Sequence, residues 1–527
     1  MRALPLAAVA QLVSHQEQIV ALGESNEAAT WWAAHFAAAQ ARHQRVLGDT
    51  LSAFQALQAA LAYNDRVEAR QHSLLAIELL QLLAPLAFNL DIDGSMQYYE
   101  RLVEAAVFQL GDRRLVGQAS VESLTGQLVR SELFALCGMW MCNIHAMQSS
   151  WMARHNLTPQ LLAQLISERL DAAVAAGLDP QYILRTEVIH VLADQWTLVD
   201  LDCLRGLTLV STAEQYNPAI HEANEPWCAH SAGLCVRVQG LSLGLAFGGR
   251  MQAARDMIMS GWDAAVQHPR VNCKVNYFEW ACDTLLWMGF DAETRPFAEQ
   301  GLVALAGYRH DAWHKRELLE AVLALLDGHR DRAVSLVESV YGTFMAQGKV
   351  ANMAMSAYIP AAVLVRAGAY DAWLARADVM TPVMRHTGNA TCELSILQYT
   401  AESHLALAAA RRDYTEHAAD VVAVLDRMFE LLRQSRGATV LQLLTLGMAV
   451  VLASHLPPAQ LPGALAAWQL PSLAALRTEF RQHLAQALQL SSVEALPPTA
   501  DAVHKALEAA GFSALMAGQI AAAHAVE

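Results

Sequence analysis

Val365-Arg366-Ala367-Gly368-Ala369-Tyr370-Asp371-Ala372 is the stretch on which the fold reading turns. An apolar helical segment runs into one Gly, and a segment with small residues and an aromatic opens directly after it. The phrase occurs three more times upstream, as Leu245-Ala246-Phe247-Gly248-Gly249-Arg250-Met251-Gln252-Ala253-Ala254, Leu286-Trp287-Met288-Gly289-Phe290-Asp291-Ala292-Glu293 and Leu325-Leu326-Asp327-Gly328-His329-Arg330-Asp331-Arg332-Ala333. Its glycines stand at 249, 289, 328 and 368, in steps of 40, 39 and 40. A degenerate fifth copy, Ala408-Ala409-Ala410-Arg411-Arg412-Asp413-Tyr414, has no Gly. Gly just past a helix adopts the left-handed conformation that other residues resist, so it closes one helix and reverses the chain. A helix pair of this kind cannot bury both its apolar faces alone, so neighbouring pairs stack and share a core.

The rest of the composition agrees. The chain of 527 residues has room for several domains of ~150 residues or for one long repeat array. Gly (28) and Pro (16) make up about 8%, against roughly 12% in average usage, which leaves few residues for the turns of an all-strand chain. Charged residues are 17% and apolar residues 54%, which excludes a disordered chain and predicts deep burial behind a thin charged exterior. The net charge of −15 disfavours phosphate-backbone binding, so no direct nucleic-acid partner is expected.

Cys137, Cys142, Cys203, Cys228, Cys235, Cys273, Cys282 and Cys392 contain no CxxC spacing. Most sit in apolar helical text, so reduced thiols in a cytoplasmic protein are the expectation. Met1 to Ala10 carries one positive charge and a short apolar run broken by Pro5, with polar Gln11, His15, Gln16 and Glu17 following. It reads as a first amphipathic helix and not as a secretion signal. Leu133 to Ala153 and Gly437 to Leu476 lack Asp, Glu, Lys and Arg. Both are too interrupted for a spanning helix of about 20 apolar residues and read as buried core, so no membrane span is expected.

The repeated phrase resembles the tetratricopeptide (TPR) repeat, whose first helix ends in a small apolar–Gly turn and whose second opens with an aromatic and an Ala. Gly368-Ala369-Tyr370-Asp371-Ala372 is the copy most like it. A step near 40 exceeds the 34 residues of that family. It is closer to the divergent helical repeats in the sensor regions of large bacterial transcriptional activators. The resemblance covers residues 235–435, about 40% of the chain. It implies an all-α solenoid of antiparallel helix pairs with a period of about 40 residues, and it identifies a scaffold far better than an activity. Residues 1–234 read as an irregular helical part, 235–435 as the regular TPR-like repeats, and 436–527 as a C-terminal helical cap and tail. Gly177-Leu178-Asp179-Pro180, Pro457-Pro458 and Pro497-Pro498 punctuate the two flanks.

Motifs that would name a reaction are missing. No GxxxxGK[ST] and no GxSxG occurs, and Gly248-Gly249 ends a helix instead of following a strand. Glu187-Val188-Ile189-His190 is one ExxH, where a di-iron bundle needs two with two further carboxylates. His310, His314 and Glu317 at i, i+4 and i+7 have a spacing that suits Zn²⁺, but the general base of HExxH is lacking, and a polar helix face looks the same. Met139-Trp140-Met141-Cys142-Asn143-Ile144-His145 invites a haem or copper reading, yet Met and aromatics at helical spacing are the usual content of a core. No metal and no cofactor is therefore expected.

In TPR-like arrays the first helix of each pair lines the concave surface. Asn272, Asn276, Glu279 and Asp283 form one stripe before Gly289. The corresponding segments offer His310, His314 and Glu317, then Asn352 and Tyr358, then Glu393, Gln398 and Glu402. Asn and acidic groups beside aromatics suit an extended peptide, a cationic protein partner or a small-molecule signal. These residues read equally well as solvent-facing sides of amphipathic helices. The leading expectation is a non-enzymatic helical-repeat adaptor or regulator that binds in its groove. The alternatives are an all-helical enzyme, metal-dependent or not, with its site in the N-terminal half, and the sensor half of a split transcriptional regulator.

Overall fold

The computed structural model describes residues 27–46, 50–66, 71–87, 92–111, 124–145, 158–178, 188, 191–192, 195–206, 242–268, 271–306 and 313–526. Among these residues the chain is all-helical and contains no strand. The first part holds α1 (Glu27–Val46), α2 (Thr50–Asp65), α3 (Leu74–Ala87), α4 (Ile92–Leu110), α5 (Leu124–His145), α6 (Pro159–Ala175) and a π turn at Gln195–Val199. The middle opens with α7 (Leu243–Phe247), α8 (Met251–Ser260), α9 (Trp262–Gln267), α10 (Val271–Met288) and α11 (Asp291–Ala306). It continues with α12 (Trp313–Leu326), α13 (Arg330–Ala346), α14 (Val350–Met355), α15 (Tyr358–Ala367), α16 (Tyr370–Thr387), α17 (Ala390–Arg411) and α18 (Ala418–Leu432). Last come α19 (Thr439–His455), α20 (Leu461–Ala467), α21 (Leu473–Ala487), α22 (Ala500–Ala509) and α23 (Ala514–Val526).

The glycine turns behave as their spacing predicts. Gly249, Gly289, Gly328 and Gly368 have φ of 85°, 81°, 80° and 83°, the left-handed region. At each, two reverse hydrogen bonds close the preceding helix. After α15, Ala369 N–H donates to the Leu364 carbonyl at 2.8 Å and Gly368 N–H to that of Val365 at 3.1 Å. The fifth copy keeps the geometry without the Gly: Arg412 takes φ 56°, and Asp413 N–H and Arg412 N–H donate to Ala408 and Ala409. Gly348 and Gly388, φ 68° and 71°, close the intervening helices α13 and α16. The helices joined across these turns pack on each other, α10 on α11, α12 on α13 and α16 on α17, while α15 touches α10, α12 and α17.

Helix starts follow local chemistry too. Thr158 accepts a hydrogen bond from Leu161 N–H ahead of Pro159, Ser472 from Ala475 N–H and Thr499 from Ala502 N–H, so each hydroxyl satisfies one of the orphan donors of a first turn.

Two apolar cores result. One unites α1–α6 around Leu79, Leu80, Leu83, Met96, Trp140 and Ile166. The other runs from Leu201 to Ala523 and holds Phe247, Phe278, Phe297, Trp373 and Phe480. Met257 packs against both. Met139, Trp140 and Cys142 are buried in the first core, as the sequence pattern predicts for that run. Thr391 Oγ1 reaches the Thr197 carbonyl at 3.4 Å. Leu201 and Cys203 exchange backbone hydrogen bonds with Arg436, an isolated bridge outside any strand. The five described cysteines, Cys137, Cys142, Cys203, Cys282 and Cys392, are buried and in no disulfide. No helix among the described residues is long and apolar enough to cross a membrane; α19 buries most of its Val440–Ala453 run within the second core.

Candidate functional site

The polar stripe of α10 faces its neighbours. Asn276 Oδ1 accepts from Lys315 Nζ of α12 at 3.1 Å, and the same ammonium pairs with Glu279, only 4% exposed. One turn on, the Asp283 carboxyl lies near the Ile359 N–H in the first turn of α15, whose own N-cap Ala357 makes no side-chain cap. Burial, reinforced by Glu279, holds the Asp283 carboxyl well above the usual carboxylate range, while Lys315 and the Ile359 N–H pull it down. Tyr358 lies in the same neighbourhood. Burial raises its phenol far above the ordinary value, with Cys392, Asp283 and Tyr399 adding to the effect. Its Oη approaches the Thr391 carbonyl at 3.5 Å.

A second cluster lies on α17. Trp287 Nε1 donates to Gln398 Oε1 at 3.3 Å, and Gln398 Nε2 donates to Glu402 Oε1 at 2.9 Å. Gln398 is 4% exposed. Burial pushes the Glu402 carboxyl up to about 7, against the lowering effect of Gln398. Glu402 lines a cavity of about 310 Å³. The walls are otherwise almost entirely apolar, with Leu405 from α17, Leu443, Leu444, Met448 and Val451 from α19, and Ile520 from α23. Tyr370 and Gln519 are the other polar side chains of the lining. Gly447 permits the close approach of α23, because a Cβ there would stand 3.3 Å from that of Ala523.

The remaining predicted residues serve elsewhere. Glu393, 2% exposed, accepts from Arg385 Nε at 2.9 Å and from Arg427 Nε and Nη2 at 2.8 and 2.9 Å, a bidentate pair across α17 and α18. His314 packs its ring 5.3 Å from that of Phe344, and burial, with Lys315 and Lys349, drives its pKa down to about 3. Glu317 Oε2 is buried with no hydrogen-bond partner among the described residues. His310, Glu187 and His190 lie outside the described residues, as do the side chains of Asn272, Asn352 and His145.

The structure therefore joins Asn276, Glu279, Asp283 and Tyr358 in one cluster and Gln398 with Glu402 in another. Lys315, Trp287 and Tyr399 are participants that the sequence reading missed. The rarity of Lys in this chain, with Lys315 placed next to His314, was the available signal. A further cavity of about 420 Å³ is lined by Asp291, Arg295, Arg330 and Arg366. Two of its arginines already hold carboxylates: Arg366 grips Asp291 in a bidentate pair and Arg295 holds Asp327 at 2.7 Å.

Chemically, the Glu402 cavity offers one carboxyl that ionises near neutrality inside an apolar wall. No His, Cys, Ser or Lys side chain joins it in the described lining. Such a site is equipped to bind a small apolar ligand and to pair with its charge. No protein-family model matches the chain, and no curated protein matches it.

Proposed function

We propose that this protein is a non-enzymatic α-solenoid of TPR-like helix pairs that senses a small apolar cation, such as an alkyl amine, in the cavity at Glu402. A regulatory or adaptor role follows from that reading, with ligand occupancy bearing on how α23 lies against α17 and α19. The observation that carries it is the single carboxyl held near neutrality within about 310 Å³ of apolar wall. A cavity of that size falls in the range of small-molecule sites, roughly 300–1,000 Å³, where apolar walls supply affinity and a few polar groups fix orientation. An ammonium beside Glu402 would restore the carboxylate that burial disfavours, so the ligand and the ionised form stabilise each other. The glycine turns in left-handed geometry at steps near 40 support the repeat reading.

The test compares octylamine with octanol by thermal shift and by calorimetry. Amine affinity is expected to exceed that of the alcohol at about pH 8 and to weaken up to about tenfold per unit on acidification below the Glu402 pKa. Glu402→Gln should abolish the difference between amine and alcohol. Equal binding of the two, or an amine preference untouched by that substitution, would sink the proposal. So would affinity that strengthens on acidification, since the protonated acid would then be the binding form.

A further inference from the structure

His404, on α17, and His417, the residue preceding α18, bring their Nδ1 atoms to 3.2 Å of each other. Asp420, in the first turn of α18, completes a triad whose ligand atoms all lie within 4.8 Å of one another. We propose that His404, His417 and Asp420 bind one borderline divalent metal ion, with Zn²⁺ the best chemical match, and that the ion clips the end of α17 to the start of α18.

The geometry favours the ion. Imidazole nitrogens bind Zn²⁺ at about 2.0–2.1 Å, so two of them on a tetrahedral ion stand about 3.3 Å apart. The observed 3.2 Å separation needs almost no adjustment. A shared N–H···N bond between the rings would explain that distance alone, but it gives Asp420 no part. Two imidazoles with one carboxylate match a borderline metal better than Mg²⁺ or Ca²⁺, which prefer all-oxygen shells. Asp420 is exposed, which leaves the fourth position open to water. Asp378 also faces His404 and adds negative potential there. His417 Nε2 is buried with no hydrogen-bond partner among the described residues. That ring lacks the outer acceptor that strengthens a metal-bound imidazole, so the site is weaker than a closed structural one.

The placement has a reason. The triad spans the fifth turn, where Arg412 occupies a left-handed position that glycine holds in the other copies. A metal bridge would hold together the two helix ends that this strained turn joins.

The test titrates Zn²⁺, Co²⁺ and Mg²⁺ into the metal-free full chain. One equivalent of Co²⁺ should bind with the intense visible absorption of a four- or five-coordinate ion, be displaced by Zn²⁺, and be unaffected by Mg²⁺. His404→Gln and His417→Gln should each weaken binding by at least the roughly 10–100-fold that loss of even an outer-shell partner costs. Asp420→Asn, at an exposed position, should weaken it without disturbing the fold, and it keeps the test open if a histidine variant does not fold. Absence of the Co²⁺ absorption, or binding unchanged in Asp420→Asn and in a folded histidine variant, would overturn the proposal. The second outcome would place the metal elsewhere.

Discussion

A left-handed position costs a residue with a Cβ about 1–2 kcal/mol. The turns separate that cost from packing. A Cβ at Gly328 would meet nothing within 4 Å, whereas one at Gly289 would stand 2.6 Å from Ser513 Oγ and 3.0 Å from Leu515 Cβ. Gly328→Ala should therefore lower stability by about 1 kcal/mol, the backbone cost alone. Gly289→Ala should cost more, about 2–4 kcal/mol, because the contact with α23 must also give way. Arg412→Gly should go the other way, gaining up to about 1 kcal/mol as the strain is relieved. Urea unfolding of the three variants checks the order; equal losses at 289 and 328 would refute it. These turns were legible because the demand for positive φ is local and glycine answers it. Arg412 was legible only through the register of its neighbours. Gly348 and Gly388 escaped notice because they close helices that lie out of step with the repeated phrase.

For whole helices, legibility was partial. Spacing placed Asn276, Glu279 and Asp283 on one face of α10, and the structure puts them together. What lies opposite depends on how distant helices pack. Lys315 is 36 residues from Glu279, Arg427 is 34 from Glu393, and Trp287 is 111 from Gln398. No periodicity within one helix carries that information. Glu393 shows the consequence most sharply. It reads as a groove residue, yet its carboxylate is enclosed and holds two arginines from flanking helices. Glu393→Ala should destabilise by about 1–3 kcal/mol, because Arg427 loses its bidentate acceptor and keeps only Glu430 at 2.7 Å. Chemical denaturation measures this. A loss below about 0.5 kcal/mol would mean that the pair behaves like a surface ion pair.

The whole molecule carries two opposed titrations. Glu402 ionises at about 7 in the folded chain against an ordinary 4.5. Its folded form holds the proton more tightly, so the stability it contributes is complete below the ordinary value and is lost as pH rises through about 7. Asp283 is shifted the same way. His314 is depressed from 6.5 to about 3, so its contribution is complete above 6.5 and is lost as pH falls through about 3. Stability should therefore peak in mildly acidic solution. Glu402→Gln should flatten the alkaline limb by about 2–3 kcal/mol between pH 5 and 8, and His314→Gln the acid limb. Melting temperatures from pH 3 to 8 check both, and a limb unchanged by its substitution would remove that group from the account. The closing contacts of this molecule also bear on how it is made. Ser513 Oγ donates to the Met288 carbonyl across 225 positions of chain, beside the Gly289 turn, and Arg436 pairs with Leu201 and Cys203. Synthesis delivers the N-terminal helices first, at about 5–20 residues per second. The Gly289 turn and the start of the second core must then wait many seconds on the ribosome for partners encoded far downstream. Apolar surface stays open during that interval, and chaperone demand should be set by how soon these downstream partners emerge.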